Sequence, residues 1–60
     1  MVELGDIIDM IWVDDSKSCY IFREDGEVFD YFDDDFSDEM SSIVSSIDIY
    51  ADKVEIYLGE

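Results

Sequence analysis

The sequence predicts an α+β fold: a three- to four-stranded antiparallel sheet with one amphipathic helix, about 37–48, packed on one face. Three observations predict it. Asp25-Gly26 lies between two runs rich in β-formers, 19–22 and 28–32, and Asp-Gly supplies the positive φ that a tight hairpin turn demands. Val54, Ile56 and Leu58 alternate with Lys53, Glu55 and Tyr57, the period of a half-buried strand. Met40, Ile43, Val44 and Ile47 stand at i, i+3, i+4 and i+7, the period of one helix face.

In chain order, residues 4–13 satisfy two templates. Leu4, Ile7, Ile8 and Ile11 have helical spacing, while 7–13 is also rich in β-formers. A short helical turn near Leu4 to Ile8 before a strand over about 9–13 satisfies both. The polar cluster 14–18 then turns that strand into the run 19–22, and Trp12 is expected in the core or partly buried. In the following hairpin Tyr20 and Phe22 share one face, with Cys19 and Ile21 on the other. Val28, Asp30 and Phe32 lie opposite Phe29 and Tyr31. Ser37 reads as the helix N-cap, and Asp38 and Glu39 fall in the first turn, where the helix dipole favours negative charge. Asp33, Asp34 and Asp35 precede the cap and have no such role.

Sixty residues make a single domain, 1–60, with a thin core, because a chain this short buries only about 60 % of its unfolded surface. At 48 % apolar and 15 % aromatic the chain is nonetheless far from the profile of a disordered acidic tail. Against 18 Asp and Glu stand only Lys17, Arg23 and Lys53, a formal charge of −15. Self-repulsion at this density opposes the compact state. The sign excludes nucleic acid, acidic membrane surfaces and acidic substrates as direct partners and leaves a basic protein or bound cations.

The chemistry of catalysis is missing. Without histidine and with Cys19 as the lone cysteine, nucleophile–base pairs and zinc sites are excluded. Carboxylate-only catalysis needs a cleft larger than such a chain encloses, so no enzyme and no cofactor is expected. An EF-hand laid from Asp33 puts Asp38 where glycine is required and Val44 where the bidentate Glu belongs. Cys19 reads as a small apolar strand residue in a reducing compartment. The start, Met-Val-Glu-Leu-Gly-Asp, has no signal-peptide pattern, and no run reaches the length of a membrane helix, so a cytoplasmic location is expected.

What remains is the charge itself. Residues 29–39 hold six carboxylates and four aromatics with no positive charge. The candidate partner-binding residues are Asp14, Asp15, Glu24, Asp25, Glu27, Asp30, Asp33, Asp34, Asp35, Asp38 and Glu39. Alternate residues on one strand face lie about 6.6–6.8 Å apart, of the order of the spacing between phosphates along one DNA strand. Glu27, interleaved with Phe29 and Tyr31, is a candidate for such a row. Aspartate supplies 12 of the 18 carboxylates. Its shorter side chain holds charge in place at a smaller entropy cost on binding.

In size, charge and an α+β layout with the Asp33-Asp34-Asp35 knot at an element junction, the chain resembles the small acidic DNA-mimic inhibitors of phages and mobile elements. These include anti-CRISPR and anti-restriction proteins and inhibitors of uracil-DNA glycosylase. The resemblance implies a stoichiometric blocker in the cytoplasm of a host cell, seated in the DNA-binding groove of a basic protein such as a nuclease complex or repair enzyme. Two alternatives stand beside it: an immunity- or antitoxin-type partner of a basic protein, and a halophile's acidic accessory domain. A free edge strand leaves a homodimer open.

Overall fold

The computed structural model describes residues 1–10 and 17–59. A short helix α1 (Leu4–Ile7) is followed by β1 (Ser18–Phe22), β2 (Val28–Asp30), a 3-10 turn (Ser37–Glu39), β3 (Val44–Ile49) and β4 (Lys53–Leu58). The strands form one sheet in the order β2-β1-β4-β3. β1–β2 and β3–β4 are antiparallel hairpins, whereas the central pair β1–β4 is parallel. The sheet is therefore mixed, not antiparallel throughout.

The parallel centre follows from the route of the chain. β2 and β3 occupy opposite edges and run in the same direction, so the connection over 31–43 must cross the sheet and return along it. Such crossovers are usually helical. Here the crossover contains only the 3-10 turn, and α1 locks onto it: the Leu4 and Gly5 N–H groups donate to the carbonyls of Ser42 (2.8 Å) and Met40 (2.7 Å). Gly5 allows this approach, since a Cβ there would sit 3.0 Å from the Met40 carbonyl oxygen.

The helix expected over 37–48 does not form. Of its spaced apolar residues Val44 and Ile47 belong to β3, where Ser45 is an extra residue between Val44, opposite Leu58, and Ser46, opposite Tyr57. This bulge lets Val44 and Ile47, three residues apart, both face the core, which produces helical spacing in a strand. Ile43, Val44, Ile47 and Ile49 are β-branched and the intervening serines are weak helix formers, so local preference also favours the strand. Ser37 does not cap a helix either. The residue before the 3-10 turn is Phe36, which makes no side-chain cap.

Other expectations hold. α1 matches the helical turn near Leu4 to Ile8. The Asp25-Gly26 hairpin closes through Arg23 N–H to the Glu27 carbonyl at 2.7 Å, with Gly26 at φ +96°. β4 buries Val54, Ile56 and Leu58. The strand expected over 9–13 is not seen at Asp9 and Met10, which are turn residues, and 11–13 fall outside the described residues, as does Trp12. Both edges of β1 are taken, by β2 and β4.

The core is one apolar cluster, Leu4, Ile8, Cys19, Ile21, Val54, Ile56 and Leu58, flanked by Phe29, Tyr31, Phe36, Val44 and Ile47. α1 and the crossover thus cover one face of the sheet. Burial, and secondarily the charge of Asp30, pushes the Cys19 thiol up to about 11, which makes it an inert core residue at neutral pH. Among the described residues no helix is long and apolar enough to cross a membrane.

Candidate protein-binding surface

Asp14 and Asp15 lie outside the described residues; the other nine candidate carboxylates fall into two groups. The first gathers at the β1–β2 turn. Glu24, Asp25 and Glu39 line a cleft of about 550 Å³ together with Arg23, Ser41, Ser42 and Ile43. Arg23 pairs with Asp25 at 3.1 Å and with Glu39 at 3.8 Å. Ser42 Oγ donates to Glu39 at 3.1 Å, and the Glu27 N–H donates to Asp25 at 3.1 Å. Three carboxylates against one guanidinium leave the cleft acidic, and surface pairs of this kind contribute only about 0–1 kcal/mol.

The second group is the crossover. Asp30, the last residue of β2, accepts the Phe32 N–H at 2.9 Å, while its own N–H donates to the Asp34 carboxylate at 2.8 Å. The Asp34 N–H returns to the Asp30 carbonyl at 2.9 Å. Asp35 accepts the Ser37 N–H at 3.0 Å, and this backbone hydrogen bond, with a second from the Ser37 hydroxyl, holds its carboxyl below the ordinary value of 3.8. Asp34 and Asp35 therefore have structural roles that their place before the expected cap did not suggest: they tie the two bends of the crossover. Asp33 and Asp38 are exposed, and among the described residues no side-chain hydrogen bond or ion pair engages Asp33.

The row expected from Glu27, Phe29 and Tyr31 does not exist as an exposed surface. Phe29 stands opposite Ile21 and, with Tyr31, packs against the core, while Glu27 precedes the strand. The ordered rows lie on the opposite face of the sheet. One runs Val28, Phe22, Tyr57, Ser46 across the four strands; the next runs Asp30, Tyr20, Glu55, Asp48. Phe22 and Tyr57 stack with ring centroids 4.9 Å apart at 13°, and Tyr20 lies 6.5 Å from Phe22.

On the same face the Tyr57 hydroxyl donates to Glu55 at 2.9 Å, and this hydrogen bond above all raises the phenol above its ordinary pKa. Lys53 pairs with Glu55 at 3.4 Å and lies 4.9 Å over the Tyr50 ring. Asp48 and Glu55 were not among the sequence candidates. The outward phase of β4 could have found Glu55; Asp48 was hidden by the helix assigned to its segment.

No protein-family model matches the chain, and no curated protein and no solved structure shows significant similarity to it.

Proposed function

We propose that the protein is a non-enzymatic, DNA-mimic inhibitor that occupies the basic DNA-binding groove of a defence or repair protein in the host cytoplasm. One observation carries this reading: the crossover carboxylates of Asp30, Asp34 and Asp35 each accept a main-chain N–H, so dense negative charge is held in place and not dispersed on mobile side chains. Fixed charge mimics a phosphate array at little entropic cost on binding. Association is steered by the field of a −15 chain, fast at low salt and steeply weakened as salt rises.

The test is capture from bacterial lysate on immobilised protein at physiological salt, eluting first with duplex DNA and then with high salt. A nuclease or repair protein released by DNA is the expected result. The stacked Phe22–Tyr57 pair on the sheet's outer face favours a second reading, an immunity-type partner whose contacts owe nothing to DNA shape. That reading is supported, and mimicry overturned, by a single captured protein that ignores DNA and leaves only in salt.

A further inference from the structure

The face of the sheet opposite α1 and the crossover joins two kinds of group in one pattern. Its aromatic row, Phe22 and Tyr57 beside Val28, which is 50 % exposed, adjoins a row in which Asp30, Glu55 and Asp48 flank Tyr20. The two rows are two residues apart along the strands, about 6.6–6.8 Å. Neighbouring strands lie about 4.7–4.9 Å apart, so Asp48 and Glu55 stand side by side while Asp30 is one strand beyond Tyr20. Lys53 on this face already lies between Glu55 and the Tyr50 ring.

A compact ammonium needs only the carboxylates of such a surface. A guanidinium uses both rows: its plane stacks on an aromatic ring while its N–H fork reaches a carboxylate. Glu55 is held in place for that contact by the Tyr57 hydroxyl at 2.9 Å.

We infer that this face docks arginine side chains of the protein's basic partner, the guanidinium laid on the Phe22–Tyr57 and Tyr20 rings and bonded to Glu55, Asp30 or Asp48. The inference deepens the reading above and rests on it for the partner being a basic protein. The crossover and hairpin carboxylates then supply long-range attraction, and the outer sheet face supplies selection among cations. Lys53 is the native occupant an incoming arginine displaces from Glu55.

The test titrates the full chain with oligo-arginine and oligo-lysine peptides of equal length at physiological salt, by calorimetry and by ¹H–¹⁵N shift mapping. The arginine peptide should bind tighter by on the order of tenfold, the scale of a cation–π contact. Its shift changes should centre on residues 20, 22, 55 and 57. Tyr57→Phe keeps the ring but frees Glu55, so it should lose only part of the preference; Tyr57→Leu and Phe22→Leu should lose most of it and leave oligo-lysine binding unchanged.

Equal binding of the two peptides overturns the inference, as do shifts centred on 33–35 or on 24–25. Where a variant fails to fold, the shift map of the parent protein decides. The lysate experiment is independent. Arginine preference without a DNA-released partner leaves this surface standing and removes mimicry; a DNA-released partner without arginine preference does the reverse.

Discussion

Asp33, Asp34 and Asp35 are adjacent and chemically identical, yet the fold uses them differently. Asp34 and Asp35 accept main-chain N–H groups at 2.8 and 3.0 Å, whereas Asp33 adds charge at an exposed position. Asp33→Asn should raise the melting temperature at low salt by relieving repulsion, while Asp34→Asn and Asp35→Asn should lower it, as thermal denaturation of the three single variants will show. The Asp35 carboxyl is lowered on folding, so its contribution is present above the ordinary value of 3.8 and is lost as pH falls through the folded value. The stability gap between the parent and Asp35→Asn should therefore be open at neutral pH and close in acid; a gap that widened in acid would contradict this assignment. Gly26 has a simpler role. A Cβ added there would meet nothing within 4 Å, but φ stands at +96°. Gly26→Ala should thus cost about 1–2 kcal/mol in denaturant titration through the backbone alone.

At the scale of elements, β3 holds the largest difference between sequence and structure. Periodicity assumes unbroken geometry, and one bulged residue converts a strand's period of two into an i, i+3 pair of inward residues, Val44 and Ile47. Deleting Ser45 should remove the bulge and leave Val44 and Ile47 two residues apart, both still inward in a regular strand. The expected result is an unchanged β3–β4 register with little loss of thermal stability, whereas inserting a second residue at 45 should turn one of the two outward and lower the melting temperature clearly.

Elements whose signals are local were legible: the Asp25-Gly26 hairpin, the alternation of β4, the helical turn at Leu4, and the shared face of Cys19 and Ile21, though both faces of that hairpin carry apolar groups and alternation did not say which is buried. The parallel β1–β4 pairing was not legible, because it depends on where a non-local crossover delivers the chain. The candidate site divides in the same way. Composition located the acid-rich crossover and the hairpin turn, but the ordered outer rows arise from cross-strand register, which brings Tyr20 beside Asp30 and Glu55.

For the molecule as a whole, a charge of −15 within a radius of gyration of 10.6 Å makes salt a determinant of stability. The Debye length is about 10 Å at 0.1 M, comparable to that radius, and about 3 Å at 1 M. Carboxylates on opposite sides of the molecule are thus partly screened at the lower concentration, and those within one cluster only at the higher. The melting temperature should keep rising well beyond physiological salt, and a plateau below 0.1 M would show that only long-range repulsion matters.

The parallel centre of the sheet also bears on how the chain reaches this structure. Ser18 lies opposite Lys53, so the middle of the sheet joins two strands far apart in sequence, each of which also belongs to a local hairpin. Non-local closure of this kind slows folding, and here the pieces being joined both carry net negative charge. Repulsion between them is therefore expected to raise the barrier to folding. In stopped-flow chevrons, added sodium chloride should raise the refolding rate while moving the unfolding limb far less. If the unfolding limb carried most of the salt dependence, the repulsion would be felt in the finished fold and not on the way to it.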